Sequence, residues 1–218
     1  MWNIPNILTV IRLIAAPMVA VMFLYFSRPY ADWAALILFV LAALTDFVDG
    51  YLARAWHQES KLGAMLDPIA DKGMVIIALL VITGFNGMNP YILLPATFIM
   101  FREVFVSGLR EFLGDTAGTL KVTNLAKWKT TFQMVAIAIL FAVGIFEHHL
   151  AALTGGMDDA LVQDILTGAE ADVLGLNFHY QGAFYSWHIG VICLWAAMVL
   201  TVITGLDYFR KALPHLRD

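Results

Sequence analysis

Six stretches of this chain are apolar for long enough to cross a lipid bilayer, at 5–26, 33–53, 68–87, 91–110, 130–147 and 187–208. A helix needs about 20 such residues to span the hydrocarbon core. In lipid every backbone polar group needs an internal partner, which leaves helices or closed barrels. Runs this long and continuous lack the alternation of barrel strands. The chain therefore reads as an all-α polytopic membrane protein with six transmembrane helices, a single domain over 1–218. Composition agrees, since 61% of the residues are hydrophobic and 14% charged, more apolar surface than a soluble domain of 218 residues has interior to bury. The first run is longer than a signal-peptide core and has no small-x-small cleavage site, so it reads as a retained span.

Lysine and arginine set the orientation. With six spans both termini share one side, and 12 of the 13 basic residues fall there; only Arg28 lies opposite. Both termini and the loops 54–67 and 111–129 are thus expected to be cytoplasmic. The segment 148–186 faces outward as an insertion, carrying Asp158, Asp159, Asp164, Glu170 and Asp172 without a lysine or arginine. A short amphipathic helix is expected at about 157–167. A formal net charge of −4 argues against a nucleic-acid partner. Cys193, alone in an apolar run, excludes a disulfide framework.

Four aspartates interrupt this apolar background. Asp46 and Asp49 are spaced i, i+3, and Asp67 and Asp71 are spaced i, i+4. Each pair shares a helix face. The first pair ends the second span and the second opens the third, with Asp67-Pro68 reading as an N-cap and first helical residue. Antiparallel neighbours would bring all four carboxylates to one membrane face. An aspartate costs about 2.5–3.5 kcal/mol at a span's centre, less near its end, and converging anions repel. One or two hard divalent cations, Mg²⁺ or Mn²⁺, would relieve both costs. The six histidines make no zinc spacing. Gly50, Ala53 and Gly63 leave room for a bulky ligand, and Arg54 offers a fork for phosphate. The alternative reading is four acids solvated at helix ends.

The whole pattern, Asp46-x-x-Asp49-Gly50-x-x-Ala53-Arg54, eight residues, then Gly63-x-x-x-Asp67-x-x-x-Asp71, resembles the signature of the CDP-alcohol phosphotransferases at every fixed position. The resemblance implies a six-span homodimeric enzyme with a two-metal site at the cytoplasmic face. It implies Asp46, Asp49, Asp67 and Asp71 as metal ligands and Asp71 as general base. Asp49, Gly50, Ala53, Arg54, Gly63 and Asp67 would surround the CDP moiety.

The acceptor must be read elsewhere. Arg102 lies about two turns inside its span beside Glu103, where an unused charge is costly. With Arg110, Lys127 and Lys129 it suggests a pocket for an acceptor's phosphate. The run Thr123-Asn-Leu-Ala126-Lys127-Trp-Lys129-Thr130-x-x-Gln133 is similar to one in bacterial phosphatidylglycerophosphate synthases, with threonine for serine and alanine for glycine. The opening Asn3-Ile-Pro5-Asn6-Ile-Leu8-Thr9-Val-Ile-Arg12 is similar to theirs too. This implies CDP-diacylglycerol and glycerol 3-phosphate as substrates, in a bacterial cytoplasmic membrane. Inositol phosphate as acceptor and a small cation transporter are the competing readings.

Overall fold

A computed structural model describes residues 4–55, 60–114, 118 and 124–216; the side chains of 47–55 and of 124 fall outside that description. Every described regular element is helical. The order is α1 (Ile4–Tyr25), α2 (Tyr30–Ala55), α3 (Lys61–Phe85), α4 (Pro90–Leu113), α5 (Asn124–Thr154), α6 (Asp159–Thr167) and α7 (Leu176–Ala212), then a 3-10 turn at Leu213–His215.

Among the described residues, α1, α4, α5 and α7 are long and apolar enough to cross a membrane by length and composition. The helices α2 and α3, of 26 and 25 residues, carry the aspartates. Large apolar side chains cover the outside, among them Ile11, Ile14, Leu24, Leu80 and Ile192. Inside lie Val19, Phe39, Leu79, Ile99, Ile137 and Leu194. Apolar surface on both sides of a helix is what lipid permits and water does not. The protein is thus an all-helical membrane protein.

The third helix starts earlier than expected. Asp67 and Pro68 do not begin it; Ser60 is the N-cap, its Oγ accepting from Gly63 N at 3.0 Å, and Pro68 sits inside. Pro17 and Pro95 are likewise inside α1 and α4. Membrane helices tolerate interior proline because neighbours re-satisfy the freed carbonyls. Asp67 therefore projects from the second turn of α3.

The segment 148–186 is mostly helix. α5 runs on to Thr154 and α7 starts at Leu176, well before the expected 187. Between them α6 falls where an amphipathic helix is expected, with Ile165 buried. Asp172 caps α7, accepting from Leu176 N at 2.7 Å and Asn177 N at 2.9 Å. In the bundle α5 packs along α7, α1 along α2 and α3, and α4 against α7.

Candidate active site

The first helix supplies what draws the aspartates together. Arg12 is 2% exposed, and its guanidinium reaches three carboxylates from two other helices. Its Nη1 donates to Asp46 Oδ1 and to Asp71 Oδ1, the latter at 2.5 Å, and its Nη2 lies 3.7 Å from Asp67 Oδ1. One turn earlier, Thr9 Oγ1 donates to Asp67 Oδ1 at 2.6 Å. One turn before that, Asn6 Oδ1 accepts from Ser60 Oγ at 2.7 Å. The i, i+3 spacing of Asn6, Thr9 and Arg12 thus lays a polar stripe of α1 against the start of α3. Gly63 belongs to this contact. It is buried, and a Cβ there would come within 2.8 Å of Asn6 Oδ1.

The side chains of Asp46, Asp67 and Asp71 are 49%, 45% and 46% exposed, so each is held on one side and open on the other. They open onto a cavity of about 900 Å³. Its volume suits a ligand of drug size or larger. Asp49, Gly50, Ala53 and Arg54, expected around metal and CDP, lie in α2 among the residues whose side chains are not described.

All four basic residues expected at the acceptor site line the same cavity: Arg102, Arg110, Lys127 and Lys129. They differ in engagement. Lys129 is 5% exposed and its Nζ donates to Glu103, itself 7% exposed; Arg102 Nη1 lies 3.4 Å from the same Glu103 oxygen. Burying these charges is tolerable because they are paired. The stem of Arg102 rests on Gly205 of α7, where a Cβ would lie 3.1 Å from Arg102 Cγ. Ser107 Oγ donates to Glu103 O at 2.5 Å and receives Lys72 Nζ, which tightens α3 against α4. Arg110 and Lys127 are exposed, and the Arg110 guanidinium stands 5.8 Å from the Tyr208 ring.

A metal fits the donor set. Hard oxygen ligands face the cavity, and one guanidinium offsets only one of three negative charges. Among the described residues no three His, Cys, Asp or Glu side chains enclose an ion site by themselves. The three described aspartates converge on Arg12, and the fourth side chain is not described.

The sequence marks Arg12 in the orientation count and at the end of the opening run Asn3–Arg12, but gives it no contact with the aspartates. The burial cost that singles out Arg102 applies equally to Arg12 and would have found it. Gln133, Thr204 and Tyr208 also line the cavity. Of these only Gln133 lay in a quoted motif; the other two carry no spacing signal.

A family model described as CDP-alcohol phosphatidyltransferase matches residues 2–203. The chain is 62% identical over 218 residues to the CDP-diacylglycerol–glycerol-3-phosphate 3-phosphatidyltransferase of Cereibacter sphaeroides, covering 100% of this chain and 98% of that one. It is 36% identical over 211 residues to the protein of that name from Rickettsia bellii, covering 95% and 94%. To its Escherichia coli K12 namesake it is 40% identical over 141 residues, covering 64% and 76%.

Proposed function

The chain belongs to the CDP-alcohol phosphatidyltransferase family, and from that premise we propose that it transfers the phosphatidyl group of CDP-diacylglycerol to glycerol 3-phosphate, in phospholipid biosynthesis. The observation that carries this reading is one cavity with three aspartates on one wall and Arg102, Arg110, Lys127 and Lys129 on another. An activated phosphate ester needs the first wall; an acceptor that itself carries phosphate needs the second.

Asp71 takes the proton of the acceptor's 1-hydroxyl. That oxygen attacks the phosphorus bearing diacylglycerol, the bond from phosphorus to the oxygen of CMP breaks, and phosphatidylglycerol phosphate and CMP leave. Asp46, Asp49, Asp67 and Asp71 would hold two Mg²⁺ or Mn²⁺ ions, which supply charge stabilisation for the departing phosphate when bound. Asp49, Gly50, Ala53, Arg54, Gly63 and Asp67 surround the CDP moiety, a placement supported by their match to the family signature. Arg102 and Lys129, already fixed by Glu103, hold the acceptor phosphate from the inside; Arg110 and Lys127 reach it from the open side.

In this reading the whole chain is one domain, α2 and α3 cross the membrane with the other four long helices, and both termini are cytoplasmic. The distribution of 12 of 13 basic residues supports that orientation, which puts the cavity at the inner face of a bacterial cytoplasmic membrane. The enzyme works as a homodimer.

The test is CMP release by purified protein with Mg²⁺ and CDP-diacylglycerol across a panel of acceptors. Glycerol 3-phosphate should give CMP and phosphatidylglycerol phosphate in equal amounts. Release with inositol phosphate or serine, and none with glycerol 3-phosphate, would refute the acceptor assignment.

A further inference from the structure

Lys72 lies inside the third apolar run, one residue after Asp71, and lines the cavity. It is partly buried, where an ammonium without an anion is costly. Among the described residues its Nζ meets no carboxylate; it donates to the Ser107 hydroxyl of α4. That hydroxyl is one turn beyond Glu103 and donates to Glu103 O at 2.5 Å. The Glu103 carboxylate in turn receives Lys129 Nζ and lies 3.4 Å from Arg102 Nη1. Lys72 is also within electrostatic range of Lys129. Three cations from three helices therefore gather around one carboxylate, beside the open cavity.

Charge and hydrogen bonding narrow the partner they would take. Glu103 offsets one of the three positive charges and leaves two. Arg102 Nε, buried against Gly205, has no hydrogen-bond partner among the described residues. Ammonium and guanidinium groups only donate, so what they lack is an acceptor bearing negative charge. A phosphate monoester carries about −1.5 to −2 charges near neutral pH and three strong acceptor oxygens. Each phosphorus of the donor's diphosphate carries a single charge and, in the proposed function, sits at the aspartates instead. Gln133 Oε1 and Tyr208 OH, unpaired on residues lining the same cavity, are neutral and leave the charge balance unchanged.

We propose that Lys72 binds the acceptor's phosphate together with Arg102 and Lys129. This rests on the acceptor reading above. A lysine held only by a neutral hydroxyl gives that bond up at little cost, and its flexible stem can carry the ammonium onto a phosphate oxygen. Lys72 also follows Asp71 on the same turn of α3. The cation that anchors the phosphate and the base that takes the hydroxyl proton thus ride on one helix, which fixes the acceptor's reacting end relative to its anchored end.

The experiment measures KM for glycerol 3-phosphate and for CDP-diacylglycerol, with Mg²⁺, in wild type, Lys72→Met, Lys72→Gln and Ser107→Ala. Losing a charged hydrogen bond to phosphate should raise the KM for glycerol 3-phosphate about 10–100-fold in each neutral variant of Lys72. The KM for CDP-diacylglycerol should stay within about threefold. Glutamine can still hydrogen-bond Ser107, so Lys72→Gln separates the lost charge from the lost contact between α3 and α4. Ser107→Ala removes that contact and keeps the charge, and should leave both KM values within about threefold of wild type. Equal damage to the acceptor KM in Ser107→Ala and Lys72→Met would make Lys72 a helix clamp and overturn the inference. So would an unchanged acceptor KM in Lys72→Gln, or a rise confined to CDP-diacylglycerol. A wild type that works only with an acceptor lacking phosphate overturns the acceptor reading and this inference with it. One that works only with another phosphorylated acceptor overturns the former alone, and the same KM rise is then expected for that acceptor.

Discussion

Two arginines bracket the apolar length of α1, and each meets an aspartate of α2. At one end Arg28 grips Asp32 with two parallel bonds, Nε to Oδ2 at 2.8 Å and Nη2 to Oδ1 at 2.6 Å. Asp32 is 1% exposed, and α5 closes over the pair at Gly144, where a Cβ would collide with Arg28 Nη2 and Asp32 Oδ1. The bond to Asp32 pushes the Arg28 pKa above its ordinary value, so the guanidinium stays charged at any working pH. About 21 Å further along α2, at 1.5 Å per residue, Asp46 belongs to a different kind of cluster. There one guanidinium faces three carboxylates, all nearly half exposed to a wide cavity. The same chemical pair serves as a clamp where the charge is matched and the space closed. Where negative charge is in excess and the space open, it forms the wall of the proposed binding site.

The largest expected effect is at the open end. Asp71→Asn should lower turnover by about 10²–10⁴-fold, the usual worth of a general base, with circular dichroism and melting little changed. Near-normal turnover would remove Asp71 as base. Next, Arg12→Met should destabilise the metal-free protein by about 1–3 kcal/mol, since three half-exposed carboxylates lose a shared charged hydrogen-bond partner. Added Mg²⁺ should then raise the melting temperature of that variant more than that of wild type. An equal metal-induced shift in both proteins would show that Arg12 does not stand in for a cation.

The closed end should respond in stability alone. Gly144→Ala should cost about 1–3 kcal/mol by overpacking against the Arg28–Asp32 pair, measured by thermal melting in detergent, and leave metal-dependent kcat within about twofold. A large loss of kcat at wild-type stability would erase the distinction between the two ends. The smallest effect is predicted for Asp172, whose backbone hydrogen bonds, chiefly from Asn177, hold its pKa below the ordinary 3.8. A lowered carboxylate pKa stabilises fully above the unfolded value and less as pH falls through the folded one. Amide protection at the start of α7, taken relative to the intrinsic exchange rate at each pH, should therefore fall below about pH 4 in wild type and be low at every pH in Asp172→Asn.

The bundle and the acids were legible because both depend on local signals. Long apolar runs announce helices in lipid, and carboxylates at i, i+3 and i, i+4 announce a shared face whatever their partners are. Arg102 was legible for the same reason, as a charge out of place. What sequence obscured was long-range or ambiguous. Pro68 reads as a helix start by soluble-protein rules, yet Ser60 offered a better cap and lipid tolerated the interior proline. Gly63 reads as space for a ligand; that its backbone also seats Asn6, 57 residues away, has no local signal. Arg12 stood in the charge count and in the opening run, but its pairing with residues 34 and 59 positions away could not be read there. Tyr208 on α7 carries no local mark at all; only the folded bundle brings it to the cavity.

The most direct measurement is a Mn²⁺ titration followed by electron paramagnetic resonance on wild type, Asp32→Asn and Asp71→Asn in the same detergent. The account predicts that wild type and Asp32→Asn bind the ion alike and that Asp71→Asn binds it at least about tenfold more weakly. Undiminished binding in Asp71→Asn, or loss of binding in Asp32→Asn, would contradict the assignment of the open, acid-rich end as the place where the chemistry is done.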